Sequence, residues 1–375
     1  MKILFVLENY LPHIGGVEVV FRNLCEGLAR QGHSVDIVTH RLKGTALDET
    51  INGVKVHRVR VPPFASRYFF TFFSIPLVLR LAKEADLIHT TSFNGAPPAY
   101  LAAKLKRKPC VITVHEVWIG KWKEYADMNG FSCIIHDLLE RAIYSLKYDA
   151  YACVSDSTRK NLVKAVGRED KAFVVYNGLD YSTFYGKKVT EDYRRKLGLS
   201  EDFVLFASGR PGVSKGFEYL INAMPQIVQK IPKAKLVLIL SKDPAYAKRY
   251  KMMLELIEKL GIKDKVMVLD PVPYKELPSH ISMADCVVVP SITEGFGYTT
   301  AEACAMDKPV VASNTTSIPE VISGRYVLVE PKSHEAIAIG VEMVHKKQYE
   351  MTPKKMFTIE ENIKGYLEIY NRLLK

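Results

Sequence analysis

The sequence lacks the motifs that mark several common classes of metal- and nucleotide-binding proteins. It has no CxxC pair and no Cys/His cluster with metal-ligand spacing, no Walker A loop, and no Asp-x-Asp in a suitable loop. The first strand-like run does not lead into GxGxxG. A structural zinc site, a P-loop NTPase and a nicotinamide-binding domain are therefore disfavoured. The six cysteines are expected to be reduced core residues of a cytosolic protein; they are Cys25, Cys110, Cys133, Cys153, Cys286 and Cys304.

Long uncharged apolar segments are also missing. The longest one runs from Tyr68 to Leu79, lies between two arginines and contains a proline, so it is too short to span a bilayer. The apolar run that starts at Met1 stops at Glu8, which predicts a first β-strand and not a signal peptide. We find no internal repeat and no low-complexity tract.

The composition indicates a globular chain with anionic partners. A length of 375 residues, with 48% hydrophobic and 25% charged residues, suggests two domains that each bury a core. The formal net charge of +11 favours nucleotides or phospholipid headgroups as partners. Nucleic acid is disfavoured, because the basic residues are scattered and no nucleic-acid motif accompanies them.

Strand-like and helix-like segments alternate along both halves of the chain. This βα alternation predicts parallel sheets that are covered by helices on both faces. A polar segment through Lys187, Lys188 and Asp192 suits a linker between the halves. The predicted strands are residues 2–8, 34–39, 54–61, 86–91, 109–114, 150–154 and 172–176, then 203–208, 235–241, 265–269, 285–290, 309–312 and 326–329. Helices are predicted from Gly16 to about 32, over 216–230 and 245–260, and over 359–374.

Residues 294–302 join a buried strand to a helix and contain two carboxylates, Glu294 and Glu302. Residues 299–302 have the form of a helix capping box. Ligands of open α/β sheets bind at the carboxyl ends of strands, where a helix start offers N–H groups to an anion. This favours a phosphate site. The alternative is that Glu302 only completes the capping box and that Glu294 is a solvated loop acid.

Two further segments follow strands and carry ionisable groups. Arg210 and Lys215 lie in the loop after the first strand of the second half, where two cations suit a diphosphate. The alternative is a solvated turn. His115 directly follows a buried strand of the first half and is either a structural hydrogen-bonding residue or a member of a site. Two doubly wound domains that face each other would form one shared cleft.

Six segments together resemble the motifs of the retaining glycosyltransferases of family 4. In chain order they are Gly15-Gly16-Val17-Glu18, His115, Val154-Ser155-Asp156-Ser157-Thr158, Asn177-Gly178-Leu179-Asp180, Gly209-Arg210 with Lys215-Gly216, and the run from Glu294 to Glu302. The resemblance covers nearly the whole chain. It implies the α/β GT-B fold, with two doubly wound Rossmann-like domains that face each other across a cleft. Residues 1–182 would form the acceptor-side domain and 183–357 the nucleotide-sugar domain, with a C-terminal helix at about 358–375 that packs back on the first domain.

The resemblance also implies roles for single residues. Arg210 and Lys215 would hold the diphosphate of a nucleoside-diphosphate sugar, the donor substrate, and Glu302 would bind its ribose hydroxyls. Glu294 and His115 would contact the transferred sugar. With Arg210 and Lys215, these two are the expected catalytic residues. No bound cofactor and no metal are expected.

Backbone groups complete the implied donor site. Gly15 and Gly16 would approach the distal phosphate from the first domain. The other expected contacts lie in the second half, at Gly209, Gly295, Phe296, Gly297, Tyr298 and Thr299. Contacts to the base are expected from backbone groups around residues 272–274.

Three functions remain open from the sequence. The first is sugar transfer to a glycan, a lipid-linked or a small-molecule acceptor. The second is a GT-B-fold sugar-nucleotide epimerase or hydrolase, and the third is a catalytically silent sugar-nucleotide-binding protein. The expected location is the cytoplasm. Six aromatic side chains between Phe64 and Phe73, flanked by arginines, suggest a peripheral contact with the inner face of the membrane; a core helix is the alternative.

Overall fold

The computed structural model describes residues 1–13, 15–62, 64–184 and 191–375, with side chains from 193 onward in the last range. The strands are β1 Lys2–Val6, β2 Ser34–His40, β3 Asp48–Ile51, β4 Val54–Val59, β5 Leu87–Thr91, β6 Cys110–Val114, β7 Ala150–Cys153, β8 Ala172–Val174, β9 Phe203–Gly209, β10 Ala234–Leu240, β11 Val266–Leu269, β12 Cys286–Val289, β13 Val310–Ser313, β14 Gly324–Val329 and β15 Glu350–Thr352. The helices are α1 Gly16–Arg30, α2 Ser66–Phe73, α3 Ile75–Leu81, α4 Ala96–Lys106, α5 Trp122–Tyr125, α6 Gly130–Ser145, α7 Asp156–Val166, α8 Tyr181–Phe184, α9 Glu191–Lys196, α10 Phe217–Lys230, α11 Ala247–Lys259, α12 Leu277–Ser282, α13 Tyr298–Ala305, α14 Ile318–Val321, α15 His334–His345 and α16 Ile359–Leu374.

The chain forms two compact units. Unit 1 contains Met1–Trp122, Gly130–Gly178 and Phe357–Lys375, and unit 2 contains Lys123–Asn129 and Leu179–Met356. The linker predicted around Lys187 and Lys188 lies outside the described residues, and the irregular segment predicted to reach Asp192 overlaps α9, which begins at Glu191.

Unit 1 is built on an eight-stranded sheet in the order β3-β4-β2-β1-β5-β6-β7-β8. All neighbouring strands pair in parallel except β3 and β4, which are antiparallel. The order reverses at β1, which lies between β2 and β5. Such a reversal separates the loops at the carboxyl ends of adjacent strands and creates room for a ligand.

Helices cover both faces of this sheet because successive strand residues point to opposite sides. One buried cluster joins alternate strand residues to α1 and α16. The other joins the remaining strand residues to α2, α3, α4, α6 and α7, which therefore form one helical layer on the same face.

The C-terminal helix α16 is joined to the sheet of unit 1 by buried hydrogen bonds. The ring nitrogens of His89 on β5 lie 2.6 Å from the Tyr370 hydroxyl and 2.8 Å from Thr113 Oγ1, and Thr113 also bonds Tyr366 at 2.9 Å. Burial lowers the pKa of His89 to about 3, so the ring is neutral at pH 7. These bonds satisfy polar groups that would otherwise be costly to bury. The side-chain amide of Asn362 donates to the Tyr176 carbonyl at 2.6 Å.

Unit 2 is built on a seven-stranded sheet in the order β11-β10-β9-β12-β13-β14-β15. Six of these strands are parallel, and β15 pairs with β14 in the antiparallel direction. The order reverses between β9 and β12. The predicted α/β class with two doubly wound sheets is confirmed, and all predicted strands are present. The sequence analysis missed β3 and β15, short antiparallel strands at sheet edges where half-exposed residues give no apolar run.

In the part of the chain that the structure describes, no helix combines the length and the apolar character needed to cross a membrane.

Candidate functional site

The loops that follow β9 and β12 in unit 2 hold most of the predicted site residues. The two strands are adjacent, with Leu205 beside Cys286 and Phe206 beside Val287. Their carboxyl ends therefore lie side by side at the point where the strand order reverses, which is where ligands bind in open α/β sheets. The first loop carries Arg210 and Lys215, and the second carries Glu294.

Backbone contacts join these two loops. The Ile292 N–H donates to the Ser214 carbonyl at 2.7 Å. Gly216 has a left-handed backbone, with φ of 62°, and a Cβ at this position would lie 2.2 Å from the Pro290 carbonyl oxygen. Only glycine allows this approach without displacing the second loop. The close approach places Lys215, one residue earlier, against the second loop.

Lys215 and Glu294 form an ion pair, with Nζ 2.5 Å from Oε1. Their side chains are 25% and 10% exposed. The Ser291 hydroxyl donates to the same Glu294 oxygen at 2.8 Å. The interpretation of Glu294 as a solvated loop acid is therefore wrong, as is the interpretation of the Lys215 loop as a solvated turn. A partly buried pair of this kind is a charged centre of low exposure, not a surface salt bridge.

The loop after β13 fixes the backbone of Glu294. The Glu294 N–H donates to Thr316 Oγ1 at 2.9 Å, and the Ser317 hydroxyl donates to the Glu294 carbonyl at 3.0 Å. Thr315 binds the Ile292 carbonyl in the same way, at 3.0 Å. Three neighbouring strands thus contribute to the position of one carboxylate.

Helix α13 begins immediately after this loop. Its N-cap is Gly297, with φ of 91°, and no side chain caps the helix. The capping box predicted at 299–302 is therefore wrong, because the helix starts at Tyr298 and Glu302 lies one turn inside it. An uncapped first turn presents N–H groups and the positive end of the helix dipole to an anion.

Glu302 is buried at the base of this cluster. The Tyr274 hydroxyl donates to its Oε1 at 3.0 Å. Burial raises the pKa of Glu302 to about 7, while the Tyr274 bond and the Lys215 cation act in the opposite direction and Glu294 adds to the rise. The electrostatic influence of Lys215 and Glu294 on this carboxyl shows that the three charged groups form one cluster.

Arg210 differs from Lys215 in being exposed. Its guanidinium carbon lies 6.0 Å from the centre of the Tyr246 ring, at the outer limit of a cation–π contact. Among the described residues it has no carboxylate within ion-pair distance. The preceding Gly209 has φ of 151°, a backbone conformation that side chains rarely adopt.

In unit 1, Gly15 and Gly16 form the N-terminal end of α1 after β1. Gly15 is the N-cap, without a side-chain cap, and a Cβ on it would lie 2.5 Å from Glu18 Oε2. A Cβ on Gly16 would meet nothing within 4 Å. Glu18 pairs with His13 instead, at 3.2 Å.

His115 follows β6 in unit 1, two strands from β1 in the sheet order. Its Nε2 is buried and has no hydrogen-bond partner among the described residues, and its ring lies edge-on to Phe21 with 6.0 Å between centroids. Burial lowers the pKa of His115 to about 4, so the imidazole is neutral at pH 7. A buried polar nitrogen without a partner is costly and needs an explanation, such as a ligand hydrogen bond.

Sequence reasoning missed the groups that support the two carboxylates. Thr316 and Ser317 could have been suspected, because they follow a parallel strand that ends at the same sheet edge. Tyr274 gave no such signal. It was expected to contribute only backbone contacts to a base, and its hydroxyl meets Glu302 through the tertiary fold alone.

Comparisons with known proteins place the chain in a family. Residues 14–183 match the model described as Glycosyltransferase Family 4, and residues 189–363 match Glycosyl transferases group 1. An uncharacterised glycosyltransferase of Methanocaldococcus jannaschii is 34% identical over 92% of this chain and 89% of its own length.

More distant relatives have defined activities or ligands. A phosphatidylinositol N-acetylglucosaminyltransferase of Arabidopsis thaliana is 22% identical over 100% of this chain and 83% of its own length. The crystal structure of Anabaena HepE in complex with UDP-glucose superposes with a TM-score of 0.74 at 18% identity, covering 100% of both chains. The chain belongs to the glycosyltransferases of family 4, and it is a sugar-transferring enzyme with the GT-B fold.

Proposed function

We propose that this glycosyltransferase moves a hexosyl unit from a nucleoside-diphosphate sugar to an acceptor hydroxyl with retention of anomeric configuration. The observation that carries the proposal is the Lys215–Glu294 ion pair of 2.5 Å, which lies in the loop that leads into the uncapped N-terminus of α13. Cleavage of a sugar–phosphate bond develops negative charge on the diphosphate and positive charge on the sugar ring. The pair offers one charge of each sign to these two parts of the transition state.

The cations act on the leaving group in this proposal. Lys215, Arg210 and the N–H groups at Tyr298 and Thr299 stabilise the diphosphate as its bond to the sugar breaks. These groups supply the positive charge that a divalent cation supplies in other transferases, so we propose turnover without an added metal. Activity that survives treatment with EDTA is the expected result.

The carboxylates and His115 act on the remainder of the donor. Glu302 accepts hydrogen bonds from the ribose hydroxyls, and Glu294 contacts the transferred sugar together with backbone groups of Gly295, Phe296 and Gly297. In unit 1 we assign a sugar contact to His115, which would supply the missing partner of its buried Nε2. The glycines at 15, 16 and 209 are assigned to close backbone contact with phosphate.

Donor binding and product configuration test the proposal directly. Melting temperatures are measured with uridine, guanosine and adenosine diphosphate sugars, beginning with UDP-glucose because the related HepE structure contains it. A bound donor raises the melting temperature by mass action. The anomeric configuration of the product is then determined by NMR. If no donor shifts the melting temperature, the donor site is wrong; an inverted product leaves the donor site but refutes the roles of Glu294 and His115.

The acceptor and the location belong to the same proposal. The related phosphatidylinositol N-acetylglucosaminyltransferase favours a lipid-linked acceptor over a free sugar. The six cysteines are free and buried, as a reducing cytoplasm allows. Release of nucleoside diphosphate is expected to increase when a suitable acceptor is added. Equal release without acceptor would favour a hydrolase instead.

Donor affinity is expected to rise with pH around neutrality. Glu302 binds hydroxyl donors best as a carboxylate, and its pKa is about 7. The diphosphate diester of a nucleotide sugar keeps its charge over this range, so the carboxyl controls the slope. Below pH 7 the affinity should fall by up to about tenfold per pH unit, and above it the affinity should level off.

Two variants assign this pH dependence to Glu302. Glu302→Gln should bind donor weakly and with the same affinity at pH 6 and pH 8. Tyr274→Phe removes a hydrogen bond that lowers the pKa of Glu302, so the midpoint should move to higher pH. Isothermal titration calorimetry at several pH values measures both. A slope that persists unchanged in Glu302→Gln refutes the ribose assignment.

A further inference from the structure

Helix α6 of unit 1 exposes a continuous apolar stripe to solvent. Phe131, Ile134 and Leu138 are 74%, 61% and 60% exposed, and Ile135 and Leu139 are also exposed. Their spacing of i, i+3, i+4, i+7 and i+8 places them on one face of the helix. We call these five residues the α6 stripe.

The opposite face of α6 already forms the core contact. Cys133, Ile143 and Tyr144 are buried there, and the last two belong to the cluster that joins the helical layer to the sheet. The α6 stripe is therefore not the face that folding requires. Soluble proteins rarely leave a large contiguous apolar patch in water unless it binds something.

Neighbouring helices of the same layer add apolar side chains to this surface. Phe72 on α2 and Leu105 on α4 are 67% and 60% exposed, while Phe70 and Ala102 on the same two helices are buried in the shared core cluster. These helices all cover one face of the sheet, so their outward sides point in the same general direction. The exposed apolar surface therefore extends over more than one helix.

The charges beside the stripe are positive. Lys104, Lys106, Arg107 and Lys108 end α4, and within the described ranges none of the four has a carboxylate within ion-pair distance. The Tyr100 ring of α4 lies 5.3 Å from that of Tyr148, just beyond α6, which brings the ends of the two helices together.

The acidic side chains of α6 do not offset these cations. Asp137 is paired with Arg141 at 2.7 Å. Glu140 is buried and accepts hydrogen bonds from the Trp118 N–H and the Trp122 ring, at 2.9 and 2.6 Å. The surface thus combines an apolar helix face with unpaired cations, which is the pattern of an interfacial helix on anionic lipid.

We propose that this surface docks unit 1 on an anionic lipid bilayer, with the α6 stripe inserted at the headgroup level and the cations of α4 on the lipid phosphates. A second copy of the chain fits less well. In a two-fold symmetric dimer the same patch meets itself, which would bring the four cations of one copy towards those of the other. The proposal stands on unit 1 alone and does not depend on the donor site.

Vesicle flotation at low salt tests the proposal with the full chain. Phosphatidylcholine vesicles are compared with vesicles that also contain phosphatidylglycerol, and the chain should float only with the anionic ones. Ile134→Ser with Leu138→Ser should lower the partition coefficient at least about tenfold, because apolar side chains supply the insertion energy. Lys104→Glu with Arg107→Glu should give a loss of similar size on the anionic vesicles, since each cation near the surface contributes to binding.

A matched control separates docking from general stickiness. Ile339 and Leu254 of unit 2 are 59% and 40% exposed, so Ile339→Ser with Leu254→Ser removes similar apolar surface elsewhere and should leave flotation unchanged. The melting temperature of each variant confirms folding, and Phe131→Ser is the reserve if the double variant unfolds.

Three results would overturn the proposal. The first is failure of the chain to float with anionic vesicles, or equal flotation with neutral ones. The second is an equal loss of flotation in the unit 2 control. The third is a dimer in sedimentation velocity that the Ile134→Ser, Leu138→Ser variant dissociates, which would assign the surface to a second copy.

Discussion

Replacing Lys215 by alanine is expected to lower turnover at saturating donor roughly a hundredfold, a loss of about 3 kcal/mol of transition-state stabilisation. The physical reason is the loss of a cation of low exposure that faces the developing charge of the diphosphate. Steady-state kinetics with excess acceptor measure the effect. The loss should appear in kcat, because the charge on the leaving group grows as the bond breaks.

The ion pair with Glu294 requires a control for indirect effects. Lys215→Ala also leaves a buried carboxylate with only the Ser291 hydroxyl as its side-chain donor, so part of the loss could come from a displaced Glu294. A double-mutant cycle with Glu294→Gln separates the two. Arg210→Ala, which disturbs no ion pair in the described part of the chain, should also remove most activity. Full turnover of Lys215→Ala would exclude the cation from the mechanism.

The parts of this site that could be predicted are those set by local sequence. The run before Glu294 is apolar and β-branched, which indicates a buried strand, and the loops after parallel strands necessarily meet at one sheet edge. Glycines mark the backbone positions there, and Gly216 has the left-handed conformation that side chains avoid. From these features alone, the pairing of the Lys215 and Glu294 loops can be anticipated.

The parts that failed depend on contacts distant in the sequence or on a choice between two local patterns. The capping box was wrong because the left-handed Gly297 starts α13 two residues before the first threonine of the predicted box. The Tyr274–Glu302 bond arises between residues on different elements, which no spacing rule links. A tertiary contact of this kind is visible only in the fold.

The apolar surface of unit 1 shows another limit of pattern analysis. The sequence directed attention to residues 64–81, where Phe70 and Val78 are in fact core residues. Helix α6 has apolar residues on both faces, so its periodicity cannot tell the buried face from the exposed one. Only burial in the folded chain shows that Ile134 and Leu138 face solvent.

Replacing Gly216 by alanine is expected to lower the free energy of unfolding of unit 2 by about 3 kcal/mol, because two penalties combine. A left-handed backbone disfavours any side chain, and the new Cβ would lie 2.2 Å from the Pro290 carbonyl oxygen. Since that atom is backbone, the loop that carries Glu294 must move. Donor binding should therefore be lost together with stability.

Gly261 provides a matched control for the backbone penalty. It has φ of 64°, against 62° for Gly216, but a Cβ there would meet nothing within 4 Å. Gly261→Ala should therefore cost only about 1 kcal/mol and leave donor binding intact. Denaturant curves in which the two units unfold as separate transitions give both free energies. If the two alanines cost the same, the backbone conformation alone explains glycine at 216, and the close packing of the loops after β9 and β12 does not hold Lys215 against Glu294.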